Sequence, residues 1–218
     1  MTTRQLPLSR LGQLVPPLVE AQALVALVSV TADAAWAAKA AWDIARIAAR
    51  ERAGRRVALV DLKLDEPSLH QTVGLDVGDG IVDAFEYGVS LAKTAREIHG
   101  VFFISAGSDT ANAADLYAHP RWRKLQAGFG HEGALLLVFV SPAGLARLAD
   151  AAPPDGVLLL APEGVDPAII TAPVPILGIV RDRWIPSRTS GPEVLVVPSR
   201  GRRRGARAAL VTVGLAAA

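Results

Sequence analysis

The chain has 218 residues, 51% of them apolar and 20% charged, which is enough for one substantial core and too few for two comfortable domains. The absence of cysteine excludes a disulfide framework and any thiolate metal site, and is compatible with the cytosol. The formal charge is only +2, but Arg200, Arg202, Arg203, Arg204 and Arg207 crowd together near the C-terminus. The N-terminus lacks the apolar stretch and cleavage site of an export signal.

Residues 1–20 read as a peripheral segment, because "LSRLGQLVPPLVEAQ" predicts a small helix broken at Pro16 and Pro17 and lying outside any sheet. The body of the domain is expected over 21–199. There, apolar runs recur in order: "ALVALVSV", "RRVALVDL", "GVFFISAG", "GALLLVFVS", "GVLLLAP", "VPILGIV" and "EVLVVPS". Their hydrophobicity is continuous rather than alternating, as in strands covered on both faces. Between them, helices are expected from about Ala34 to Arg52, stopped by Gly54, and over "HPRWRKLQAGFG" and "SPAGLARLADAAPPDG". Repeated strand and helix in this order predicts a single α/β domain with a doubly wound, mostly parallel sheet flanked by helices. From Arg181 a polar loop leads to one more strand, and residues 200–218 pass from the arginines into the apolar run "AALVTVGLAAA". That run is too short to span a bilayer. It reads either as the start of a membrane helix, with the arginines held on the cytoplasmic side, or as a last small helix or frayed tail.

The most specific stretch is "GRRVALVDLKLDEPSLHQTVGL". It resembles the segment after the first helix in MinD/ParA-type P-loop ATPases, and most of all the bacterial tyrosine kinase domains of polysaccharide export, which read "G-x-x-V-L-L-I-D-x-D-x-R-x-P-S-L-H". "GIVDAFEYGVSL", "VFFISAG", "NAADLYAHPRWRKL" and "PILGIVRDRW" resemble later motifs of that family in the same order, so the likeness covers about residues 24 to 184. It implies a P-loop NTPase-like fold.

A working P-loop needs glycines so that backbone N–H groups curl around phosphate, a lysine for the β and γ charges, and a hydroxyl for Mg²⁺. Aligning "WDIA" with the family's "A-N-L-A" puts Ala34 and Trp36 at glycine positions, Ala37 at the lysine and Ala38 at the hydroxyl. Lys39 and Asp61 are the residual candidates for phosphate or metal work. With Lys39 as the P-loop lysine, its neighbours are Ala38 and Ala40, which supply neither glycine nor hydroxyl; a solvated helix lysine is the alternative. Asp61 falls on the first acid of the family's "D-x-D" and Lys63 on the second, a reversal of sign where a hard divalent ion wants oxygen. At the strand where relatives carry "V-I-I-D-T-P-P", the chain has Phe139, Val140, Ser141 and Pro142.

The expectation is therefore a degenerate pseudo-ATPase that binds no cofactor and no metal. Trp36 either fills the phosphate space or packs in a core or subunit contact, Trp42 packs in the core, and Asp43 is a solvated helix carboxylate. His70, His99, His119 and His131 lack metal-ligand spacing. Ser105, Ser108 and Asp109 read as a turn, without a nucleophile elbow. By resemblance, the function is that of a scaffold or regulator, a candidate homodimer with a protein partner in a membrane assembly such as exopolysaccharide or cellulose secretion. It would work in the cytoplasm at the inner face of the membrane, with the C-terminal arginines on anionic lipid. Two alternatives stay open: an ATPase or tyrosine-kinase-like enzyme with a deviant site using Lys39 and Asp61, and a DNA-associated positioning protein with its arginines on duplex phosphates, since the lack of aromatics among them argues only against a single-strand stacking platform.

Overall fold

A computed structural model describes residues 4–51, 54–162 and 165–182. The expected strand "EVLVVPS", the arginine cluster and the apolar tail lie outside the described residues. Among the described residues, eight strands form one sheet: β1 (Gln5–Pro7), β2 (Leu24–Ser29), β3 (Val57–Asp61), β4 (Arg96–Ile98), β5 (Val101–Ile104), β6 (Leu135–Val140), β7 (Gly156–Leu160) and β8 (Ile176–Arg181). Their order is β1-β8-β7-β2-β6-β3-β5-β4, and every neighbouring pair is parallel except the short hairpin β4–β5. The α-helices among the described residues are α1 (Leu11–Val19), α2 (Ala34–Glu51), α3 (Leu69–Val73), α4 (Ile81–Glu86), α5 (Leu91–Thr94), α6 (Ala113–Tyr117), α7 (Arg121–His131) and α8 (Pro142–Ala151).

Two cores explain the unbroken apolar runs. Along β2, Val25 and Leu27 enter a core under α1, α2 and α3, while Leu24, Ala26 and Val28 enter a second core with Trp122, Leu145 and Leu148. All six residues of β2 are buried, so period-2 alternation has no polar side to show. Trp42 is 7% exposed and stands edge-on to Phe103 at 6.4 Å, a core residue as expected.

The N-terminal segment differs from its sequence reading. Residues 5–7 join the sheet as an edge strand beside β8, with Leu6 fully buried. The approach is close because residue 178 is glycine; a Cβ there would lie 2.7 Å from Leu6 Cδ1. Helix α1 also runs through Pro16 and Pro17. Interior prolines cost about 3 kcal/mol each in isolation. Here Leu11, Val15 and Val19, spaced every four residues, are each at most 2% exposed in the core they share with α2. Burying three such side chains is worth roughly 5–8 kcal/mol, so packing decides the conformation. Residues 4–20 thus pack as part of the domain rather than beside it.

Candidate functional site

In an open parallel sheet, ligands bind at the carboxyl ends of the strands, beside the point where strand order reverses. Here that edge is formed by β2, β6 and β3, with α2 and α3 rising from it.

The β2–α2 turn is residues 30–33. Val30 N–H donates to Leu160 O at 3.2 Å, which ties the turn to β7. Asp33 N–H donates to Thr31 Oγ1 at 3.1 Å, and Asp33 Oδ1 in turn accepts from Trp36 N–H at 2.9 Å. Asp33 is thus the N-cap of α2, and its carboxylate lies on the positive end of an 18-residue helix. No residue from 24 to 51 has a positive φ, so the backbone there stays out of the left-handed region that glycine-rich cradles use.

The positions matched to the P-loop lysine and hydroxyl, Ala37 and Ala38, are fully buried methyl groups of the first core. Ala34 is half-buried at the helix start. Trp36 is half-buried and packs against the same core. Among the described residues, its Nε1, Ser29 Oγ and Ser68 Oγ are buried without a hydrogen-bond partner, so the polar atoms unpaired at this edge are neutral ones. Lys39 lies apart from the turn. Its side chain is 71% exposed and its Nζ pairs with Asp43 Oδ2 at 2.6 Å one helical turn on.

Asp61 and Lys63 do come together. Asp61, at the end of β3, is fully buried and its carboxylate accepts from Lys63 N–H at 3.3 Å, Ser68 N–H at 3.1 Å and Leu69 N–H at 2.9 Å. The carboxylate therefore holds the β3–α3 loop and caps α3. Burial pushes its pKa up to about 6 against the pull of those three donors and of the Lys63 charge. Lys63 is 8% exposed, and its Nζ pairs with Glu66 Oε2 at 2.6 Å.

The end of β6 carries no carboxylate. Ser141 N-caps α8, its Oγ accepting from Gly144 N–H at 3.3 Å. Tyr117 packs across that end, and a Cβ on Gly144 would lie 2.8 Å from its ring. The Tyr117 hydroxyl donates to Leu62 O at 3.1 Å, and burial raises its pKa.

Two further features of this edge lie within the stretches "PILGIVRDRW" and "GIVDAFEYGVSL", although the sequence alone assigned no role to Arg181 or Asp83. Arg181, at the end of β8, is 6% exposed and donates to Gln5 Oε1 at 2.9 Å, Ala161 O at 2.8 Å and Val165 O at 3.4 Å. Burial lowers its pKa. Ser105, Ser108 and Asp109 do form a loop, tied down by Asp83: its carboxylate accepts from Gly80 N–H at 2.7 Å, Ser108 N–H at 3.1 Å and Ser108 Oγ–H at 2.6 Å. Burial raises the Asp83 pKa, but these bonds prevail and bring it below the ordinary value. His119 stacks edge-on to Phe85 at 4.9 Å, and its Nδ1 accepts from Arg121 N–H.

No protein-family model matches the chain, and no curated protein matches it in sequence. Solved structures do resemble it. The kinase domain of Escherichia coli tyrosine kinase ETK superposes with a TM-score of 0.64 at 18% identity, over 78% of this chain and 71% of that one. The kinase domain of VpsO gives 0.66 at 16% identity, over 80% and 91%. Cobyrinic acid a,c-diamide synthase from Mycobacterium smegmatis, with bound ATP analogue and magnesium, gives 0.50 at 16% identity, over 73% and 70%. At these identities what is shared is the fold, and the chain has the doubly wound P-loop NTPase fold in the form seen in bacterial tyrosine kinase domains.

Proposed function

We propose that this domain is a pseudo-ATPase: a MinD/ParA-like scaffold or regulator that neither binds nor hydrolyses nucleotide. One observation carries the reading, the β2–α2 turn, where Asp33 caps the helix that would otherwise receive a phosphate and where no backbone N–H is set in a left-handed curl. A triphosphate approaching this turn would meet the Asp33 carboxylate and the half-buried Trp36 ring, while the position matched to the P-loop lysine, Ala37, is turned into the core. The deviant-enzyme alternative loses support because Lys39 is engaged with Asp43 on the flank of α2, and Asp61 is engaged with three backbone N–H groups.

The partner assembly follows from resemblance: a membrane-associated machine such as exopolysaccharide or cellulose secretion, met as a homodimer at the cytoplasmic face. No helix among the described residues is long and apolar enough to cross a membrane. Calorimetric titration with ATP and Mg²⁺ tests the central claim. The expected result is no saturable heat in the wild type or in Lys39→Ala. Saturable micromolar binding that Lys39→Ala abolishes would establish the enzyme reading instead. Sedimentation showing only monomer at high concentration, with and without ATP, would remove the dimer.

A further inference from the structure

Away from the carboxyl edge, the sheet face opposite α2 holds a cavity of about 410 Å³ between α5 and α7. Its floor is Ala58 and Val60 of β3, Phe102 and Ile104 of β5 and Leu136 of β6; Leu125 and Phe129 of α7 form one wall. The volume falls within the range of small-molecule pockets. The sequence leaves this room, because alanines stand at 58, 92, 95 and 134 where larger side chains would close the layer.

The rim carries three charges, Arg56, Glu97 and Glu132. Arg56 and Glu132 pair with each other. Glu97 lies on β4, directly opposite Phe102 in the antiparallel register, so the two side chains project on the same face of the sheet. Its strand neighbours turn away: Ile98 packs on the first core and Arg96 lies against Gly78. Beyond its backbone place in the β4–β5 ladder, the Glu97 carboxylate has no hydrogen bond or ion pair among the described residues. The cavity therefore combines an apolar interior with one uncompensated carboxylate at its mouth.

We infer that this cavity is a binding site for a small amphipathic organic amine, its apolar body on Phe102, Leu125 and Phe129 and its ammonium on Glu97. An amphipathic carboxylate of the same body would meet Glu97 as a like charge and would have to break the Arg56–Glu132 pair. The site is independent of the nucleotide question, since it uses none of the residues at the carboxyl edge.

The test uses the full chain and a matched pair of probes, 4-phenylbutylamine and 4-phenylbutyrate, titrated by calorimetry or ligand-observed NMR. The amine should saturate at about 1 mM or below, as expected for a ligand of this size. The carboxylate should bind at least about fivefold more weakly, the size of one rim ion pair. Glu97→Gln should remove that preference with the thermal midpoint unchanged. Ala92→Trp, a change at an exposed position on the cavity wall, should abolish amine binding. Absence of saturable amine binding, equal affinity for the two probes, an unaltered preference in Glu97→Gln, or amine binding intact in Ala92→Trp would each overturn the assignment.

Discussion

Asp61→Asn separates a structural carboxylate from a metal-holding one. A carboxyl raised from 3.8 to about 6 by burial binds its proton ~3 kcal/mol more favourably in the folded chain than in the unfolded one, at ~1.4 kcal/mol for each pH unit between the two values. The folded state therefore holds the extra proton between those pH values. Stability from this group is fully present below 3.8 and is lost as pH rises through about 6. Asp83 does not blur the window: its pKa is lowered, so its contribution is present above the ordinary carboxylate value and fades only in stronger acid. In Asp61→Asn the amide oxygen can still accept from Ser68 and Leu69, but the amide NH₂ then faces Lys63 N–H, at a cost of ~1 kcal/mol. That cost is independent of pH, so the diagnostic quantity is the difference between wild type and variant across the titration. Urea unfolding followed by tryptophan fluorescence should show the wild type gaining up to ~3 kcal/mol on the variant as pH falls from 7 to 4. Parallel curves for the two proteins, or an Asp61 carboxyl resonance titrating near 4, would refute the account.

Gly107→Ala should be among the most damaging small substitutions in the chain. Gly107 has φ +89° and a Cβ there would fall 2.1 Å from Asp83 Oδ2, so backbone strain and the displaced carboxylate together should cost ~3 kcal/mol or more. Calorimetry should register a fall in thermal midpoint of about 6–12 °C; a shift under about 2 °C would show that the Asp83 loop can relax. Arg181→Leu should free β1, because the guanidinium bridges Gln5 to Ala161 and Val165 across the edge of the sheet. Hydrogen exchange should accelerate at the Ile179 amide, which donates to Arg4 O at 2.9 Å, with a loss of ~2–4 kcal/mol. Unchanged protection there would mean that Leu6 alone holds the strand.

What could be read from the residues follows from how local the cause is. The strands β2, β3, β6 and β7 are buried on both faces, so each shows an unbroken apolar run bounded by turn residues. The alanine-rich α2 and the proline-started α8 declare themselves by propensity and position. β1 and β4 do not, because a three-residue edge strand such as "QLP" or "REI" has too few residues to display a period. The continuity of α1 through two prolines was hidden for the opposite reason: local propensity was clear, and tertiary burial overrode it. Among site residues, the Lys63–Glu66 pair sits three positions apart, whereas Asp61 reaches seven and eight residues ahead and Arg181 reaches back 176. Side-chain bonds of that span depend on the finished fold.

On the proposed pseudo-ATPase reading, the chain's own groups at the carboxyl edge supply the charges that nucleotide and metal ion bring to a working P-loop. A helix N-terminus with bare N–H groups attracts an anion, and here Asp33 supplies one covalently. A buried carboxylate at the end of β3 invites a cation, and Lys63 supplies that two residues on, its charge steadying Asp61 and its own ammonium held by Glu66. Both partners are tethered within a few residues, so ordering them costs far less entropy than capturing a diffusing nucleotide and metal ion. Such an edge gains little by exchanging Asp33 for phosphate, because the helix dipole is already compensated and a second anion beside it is repelled. Restoring lysine and hydroxyl at Ala37 and Ala38 would then not be sufficient for nucleotide binding, since both positions face the packed first core and Asp33 would remain on the helix end. No saturable nucleotide binding in the Ala37→Lys/Ala38→Ser double variant, read by calorimetry, is the result this arrangement requires, and binding there would refute it.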